Sequence, residues 1–262
     1  MPGISPEAAI GAVELTVRDL ARSLDFYEHT LGFRRLDAAD SHASLGAGKA
    51  PLLRLHGDPK APARPRRTAG LFHFAILVPS RPDLARSLAL LAERRWPLTG
   101  ASDHLVSEAL YVNDPDGIGI EIYRDRPREE WELDGDQVRM ATLPLDLDSI
   151  IGDLDEPALG DPELAPATRI GHVHLNVADL ADSEAFYCGE LGFHVTTRSY
   201  SGALFVAADE YHHHVGLNVW NGEGAPPPPD GAIGLRHYEI VVPDGAGRAL
   251  TDPSGNRLLI RT

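Results

Sequence analysis

The sequence predicts an α+β chain built from four strand–helix–three-strand (βαβββ) modules, the fourth truncated. Three observations lead there. Gly11–Phe33 (GAVELTVRDLARSLDFYEHTLGF) matches Gly171–Phe193 (GHVHLNVADLADSEAFYCGELGF) at an offset of 160, with 13 of 23 positions identical, which marks a duplicated unit. Leu71–Pro79 (LFHFAILVP) is similar to Leu235–Pro243 (LRHYEIVVP). Each of these is followed by Asp-Pro-x-Gly, at Asp114–Gly117 and Asp252–Gly255. The gap from Pro79 to Asp114 is 35 residues, that from Pro243 to Asp252 only nine. The fourth unit has therefore lost its helix and at least one strand.

Each full unit reads in the same order. A strand alternates apolar and polar residues (Val13, Leu15, Val17; Val173, Leu175, Val177). Asp19 or Asp179 then stands where a helix N-cap is needed. The helix runs to Leu-Gly-Phe, where Gly32 or Gly192 suits a left-handed C-terminal turn. The second unit's helix is expected over Pro82–Arg95, with strands Ala109–Asn113 and Ile118–Tyr123 joined by the Asp-Pro-Asp-Gly turn. The expected division is an N-terminal pair over 1–126 (modules 1–68 and 69–126), a connector over 127–168, and a C-terminal pair over 169–262 (modules 169–230 and 231–262). Trp131 and Met140–Ile151 give the connector apolar groups with which to pack on a barrel, and Pro226–Pro229 makes a stiff loop.

Composition narrows the function classes. The 262 residues are 43% hydrophobic, enough for a sizeable core, and no run of 18 apolar residues predicts a membrane span. The start lacks a basic, then apolar, leader pattern, and the lone Cys188 excludes an internal disulfide and a cysteine metal site. A cytoplasmic protein is expected. The formal charge of -15 is mostly local: Glu129–Glu163 holds twelve Asp/Glu against one Arg. No basic stripe remains for nucleic acid.

Strand alternation also sorts the polar groups. Val173, Leu175 and Val177 oppose His172, His174 and Asn176; Phe74, Ile76 and Val78 oppose His73; Ile118, Ile120 and Ile122 oppose Glu121. Extended back from Val215, the same alternation puts His212 and His214 on the polar face. A lone strand histidine is ordinarily a hydrogen-bonded core or surface group, and His212–His214 alone reads as a solvated turn. Gathered on one face, these imidazoles and one carboxylate point to a metal or acid/base site.

The Phe-Tyr…Leu-Gly-Phe pattern after a strand and Asp-Leu resembles the vicinal oxygen chelate superfamily of glyoxalase I, bleomycin-resistance proteins and extradiol dioxygenases. Asp103–Pro127 (DHLVSEALYVNDPDGIGIEIYRDRP) and Tyr211–Trp220 (YHHHVGLNVW) are similar to the CatE-type catechol 2,3-dioxygenases. The resemblance implies that modules pair into two half-open mixed β-barrels. It also implies one metal ligand near the start of a module's first strand and another on its last strand. Modules 1 and 2 would supply Ala12, His73 and Glu121; modules 3 and 4 would supply His172, His237 and Leu259. Only modules 2 and 3 supply a full set: His73, Glu121 and His172.

The activity so implied is extradiol cleavage of a catechol by O2 at non-haem Fe(II), with Mn(II) the other candidate metal. The partners implied are a small aromatic diol and O2, with no nucleic acid and no membrane; a homodimer contact is a candidate at the eroded fourth module. His214, His104 and Tyr111 would take the catalytic positions, with His213 or His212 as substitutes if the strand register shifts. Glu14 has no assigned role, and Cys188 reads as structural. The alternatives are a glyoxalase- or epimerase-like metalloenzyme using another divalent ion, and a non-enzymatic drug-binding protein.

Overall fold

The computed structural model describes residues 4–154, 163–243 and 247–262. Module 1 contains β1 (Ala9–Val17), α1 (Leu20–His29), β2 (Arg34–Ala39), β3 (His42–Gly46) and β4 (Leu53–Gly57). Module 2 repeats this with β5 (Gly70–Leu77), α2 (Arg81–Glu93), β6 (Gly100–Asp103), β7 (Ser107–Asn113) and β8 (Gly119–Asp125). The connector forms short strands β9 (Leu133–Asp134), β10 (Gln137–Val138) and β11 (Leu143–Pro144), then α3 (Leu147–Ile151). Module 3 has β12 (Arg169–Asn176), α4 (Leu180–Glu184), β13 (His194–Thr197), β14 (Ala203–Ala207) and β15 (Val215–Asn218). Module 4 has β16 (Gly234–Val241), β17 (Arg248–Thr251) and β18 (Arg257–Arg261), with no helix among the described residues. No helix among them is long and apolar enough to cross a membrane.

The capping chemistry read from the sequence is present. Asp19 and Asp179 accept from the backbone N–H groups of Arg22 and Asp182, and Gly32 and Gly192 hold φ of 83° and 86°. Module 3's helix widens: after α4 the chain makes a π-helical turn over Ala185–Glu190, where module 1 keeps an α-helix of ten residues.

Pairing crosses the chain's halves. A seven-stranded sheet of modules 1 and 4 runs β17-β18-β16-β1-β4-β3-β2, and a nine-stranded sheet of modules 2 and 3 runs β11-β6-β7-β8-β5-β12-β15-β14-β13. In each module the first and last strands pair in parallel. The modules join through antiparallel first strands, β1 with β16 and β5 with β12. The apolar faces of both sheets bury one core with the helices, from Val13, Leu15 and Tyr27 through Phe74 and Ile76 to Val173 and Tyr187. The polar face of the modules 2 and 3 sheet is left to curl around a cavity.

The repeated Phe-Tyr joins consecutive modules. Tyr27 Oη–H donates to Asp114, and Tyr187 Oη–H to Asp252. Both aspartates are buried and accept backbone N–H groups of their own Asp-Pro-x-Gly turn. The two motifs recur together because one side chain closes on the other.

The connector is a working part of the sheet. β11 pairs with β6, Ile150 is buried, and Arg81 ties α3 down through Glu108, Asp153 and the Ser149 hydroxyl and carbonyl.

Candidate metal centre

β5, β8 and β12 lie side by side, with β8 parallel and β12 antiparallel to β5. His73 and His174 are register partners across β5 and β12, and Ala75 faces both His172 and Glu121. A bulge in β12 between Ile170 and His172 turns His172 inward. At Gly171 the chains approach so closely that an added Cβ would lie 1.8 Å from the Tyr123 hydroxyl oxygen.

This brings three donor atoms together. His73 Nε2 is 3.0 Å and His172 Nε2 3.2 Å from Glu121 Oε2, and the two nitrogens are 3.4 Å apart. All three side chains are buried. Burial alone would raise the Glu121 pKa, but the facing imidazoles of His172 and His73 hold it well below the usual carboxylate range. Burial pushes His172 down to about 4 against the pull of Glu121. At neutral pH the carboxylate is ionised and the His172 imidazole is neutral.

The triad lines a cavity of about 520 Å³, walled by modules 2 and 3 and by Met140 and Thr142 of the connector. Tyr111 lies opposite Glu121 on β7, and its ring centroid is 5.7 Å from that of His73. His104 lies beside it. The Ala141 carbonyl can only accept, so His104 Nδ1–H donates to it at 2.7 Å, and His104 Nε2 accepts from the Tyr111 hydroxyl at 2.7 Å. Burial, then the charge of Glu121, raises the Tyr111 pKa well above its ordinary value. The phenol therefore keeps its proton, and its oxygen is free to accept a hydrogen bond from a ligand.

His212, His213 and His214 point three ways, because β15 begins only at Val215 and the alternation does not extend back through the turn before it. His214 is outside the cavity wall: its Nδ1 accepts from the Ala208 N–H at 3.2 Å, and its ring stacks near Tyr211. His213 is in the wall, its ring centroid 4.1 Å from that of His172. His212 lies behind it. Its Nε2 is 2.9 Å from Asp125 and its Nδ1 2.8 Å from His213 Nδ1. Asp125 accepts from His212 Nε2–H, and in the tautomer where His212 Nδ1 accepts from His213 Nδ1–H, His213 Nε2 keeps its lone pair. Asp125 was not singled out in the sequence, where only its place four residues after Glu121 could have drawn notice.

Comparison with known proteins places this arrangement. A family model described as the glyoxalase/bleomycin resistance protein/dioxygenase superfamily matches residues 9–122 and 169–244. The chain belongs to this superfamily. It is 45% identical over 249 residues, 93% of this chain and 86% of the other, to a Bacillus subtilis (strain 168) protein named catechol-2,3-dioxygenase. Its fold is similar to that of a Bacillus subtilis candidate dioxygenase (TM-score 0.67, 13% identity, 99% of this chain and 86% of that one). It is also similar to glyoxalase I from Zea mays (TM-score 0.59, 16% identity, 97% and 92%).

The residues present fit a divalent metal ion. Ligand atoms at adjacent octahedral positions about 2.1–2.3 Å from one ion lie roughly 3.0–3.3 Å apart, close to the 3.0, 3.2 and 3.4 Å found here. An ionised carboxylate and unprotonated imidazole are the forms that ligate. The counterpart face in modules 1 and 4 is filled differently. Glu14 pairs with Arg236 and approaches His237, while buried Glu239 accepts from Arg54, Arg261 and the Ala12 N–H. Protein cations neutralise the carboxylates there, which gives Glu14 its role.

Proposed function

We propose that the chain is an extradiol catechol dioxygenase whose metal, Fe(II), is held by His73, His172 and Glu121. The observation that carries this reading is the buried triad opening into a cavity that also holds Tyr111, His104 and His213. The 45% identity to a protein named catechol-2,3-dioxygenase supports it. Two imidazoles and one carboxylate on a single face leave the opposite positions of an octahedral ion open. Ferrous iron bound there would supply Lewis acidity toward the catechol oxygens and one-electron reactivity toward O2.

The protein groups handle protons and position. The Tyr111 oxygen accepts a catechol hydroxyl proton's hydrogen bond, and His104 behind it holds the phenol in place through the Ala141 carbonyl. In the cavity wall beside His172, His213 Nε2 takes a proton from the substrate and returns it as the ring opens. His212, bonded to Asp125 and to His213 Nδ1, orients that ring. The oxygen-side role expected of His214 passes to its neighbour His213.

The test is turnover. Protein loaded anaerobically with Fe(II), then given catechol and air, is expected to consume O2 and form a yellow ring-opened product. Iron bound at the triad with no O2 uptake on any catechol would favour the glyoxalase- or epimerase-like reading.

A further inference from the structure

The chain gathers uncompensated cations at one place. Against a formal charge of -15, the segment Lys60–Arg67 (KAPARPRR) holds four Lys/Arg and no Asp/Glu. It lies between β4 and β5, where module 1 passes into module 2. The loop is tied down near both ends: the Ile233 N–H donates to the Pro62 carbonyl at 3.0 Å, and the Ala69 N–H to the Pro226 carbonyl at 2.8 Å. Arg64, Arg66 and Arg67 line a groove of about 620 Å³, with Asn113, Asn176 and Asn221 among its other walls.

These guanidinium groups lack counterions. Arg64 is partly buried and donates only to neutral acceptors, the Thr68 hydroxyl and the carbonyls of Thr68 and Leu71. Arg66 and Arg67 are exposed, and among the described residues no side-chain hydrogen bond or ion pair engages them. The carboxylate in the groove wall, Asp116, is already taken by the Arg22 guanidinium and the Arg18 N–H. The buried Asn176 amide is weakly held: its Nδ2 reaches the Gly70 carbonyl only at 3.5 Å, and its Oδ1 meets no donor, so its NH2 can turn to a ligand. Three cations set against carbonyls and amides favour an approaching anion.

Phe72, Asn113, Gly119 and Trp220 line both this groove and the cavity beside the triad. The rings of Phe72 and Trp220, centroids 5.4 Å apart, stand where the two spaces meet. A ligand in the cavity can therefore extend into the groove. We infer that the groove is a carboxylate-binding site at the mouth of the cavity, where Arg66, Arg67 and the Asn176 amide take the charged end of a ligand whose other end lies toward the triad. Both sources of that carboxylate rest on the ring-cleavage reading above. One is a catechol with an acidic side arm. The other is the product: extradiol cleavage joins a catechol and O2 into one semialdehyde acid, which releases a proton at neutral pH and so gains its charge only after the reaction.

The test is binding to the Fe(II)-loaded full chain, measured by calorimetry without O2. The probes are 4-(3,4-dihydroxyphenyl)butanoate, its uncharged amide, and the semialdehyde acid derived from catechol. The variant combines Arg66→Ala with Arg67→Gly; Arg67 has a left-handed backbone, φ 60°, which glycine adopts without strain. Its iron per chain should match the parent. The parent is expected to bind the butanoate about tenfold more tightly than the amide, and to lose most of that advantage in about 1 M salt. The variant should bind butanoate and amide alike. An equal loss of affinity for the semialdehyde acid in the variant would assign the groove to the product as well; a loss confined to one acid would name that acid as its ligand. If neither acid binds more weakly to the variant, the inference is overturned. Should the variant lose its iron, the parent decides, and an equal salt response of butanoate and amide overturns the inference. Cleavage with O2 is scored separately. Arginine-dependent binding without ring opening keeps the groove and removes the reaction; ring opening with arginine-independent binding does the reverse.

Discussion

Glu121 and Glu14 occupy comparable faces of the two sheets, yet only one stands free of protein cations. Glu14 is answered by Arg236 and His237, whereas Glu121 faces the imidazoles of His73 and His172 and the Tyr111 phenol. Glu121→Ala is therefore expected to abolish iron retention and Glu14→Ala to preserve it, measured as iron per chain by mass spectrometry; equal loss in both would move the site to the other sheet. The three consecutive histidines allow a second discrimination. His213→Phe should keep iron but slow catechol turnover by about 10²–10⁴, while His214→Phe, away from the cavity, should change it little; the reverse order would return the role to His214. His73, Glu121 and His172 were legible in the sequence because regular strands carried the alternation to each of them. His213 is legible only as a substitute, because β15 begins at Val215 and turn geometry, not periodicity, aims the residues before it.

Repeated motifs at the level of elements record contacts between modules. The Tyr27–Asp114 and Tyr187–Asp252 bonds explain why Phe-Tyr and Asp-Pro-x-Gly recur at a distance, a link that strand patterning cannot reveal. Burial raises the Asp114 pKa from 3.8 to about 6, against the hydrogen bonds it accepts. Between those values the folded chain binds more protons than the unfolded one, so stability falls as pH rises from about 4 to 6 and stays lower above that. The contribution is on the order of 3 kcal/mol at most. Asp114→Asn keeps an acceptor for the turn but cannot ionise, so urea unfolding at pH 4 and pH 7 should show a smaller pH difference than the parent; identical slopes would mean that Asp114 ionises normally. The glycines opening each repeat have a related cause. Gly11 and Gly171 sit at bulges where a Cβ would meet Glu239 Cβ at 2.9 Å and the Tyr123 hydroxyl at 1.8 Å. Gly171→Ala should cost about 1–3 kcal/mol in chemical denaturation, and no loss would show that Tyr123 swings aside freely.

Across the whole molecule, placing His73, Glu121 and His172 on one site requires modules 2 and 3 to share a sheet, and β5 lies beside β12. That pairing is legible in the placement of the polar residues rather than in strand propensity. The sequence did not foresee the connector's part in the cavity, where the Ala141 carbonyl orients His104 and Met140 and Thr142 form wall; such contacts come from backbone groups and side chains with no periodic signature. Nor could it foresee that arginines would fill the modules 1 and 4 face, since Arg54, Arg236 and Arg261 converge only after folding. The measurement that bears most directly on the account is the mass spectrum of the product formed from catechol by Fe(II)-loaded protein under ¹⁸O2. A ring-opened semialdehyde acid carrying both labelled oxygen atoms is the expected product. An unlabelled product, or a dicarboxylic acid from cleavage between the two hydroxyl-bearing carbons, would contradict it.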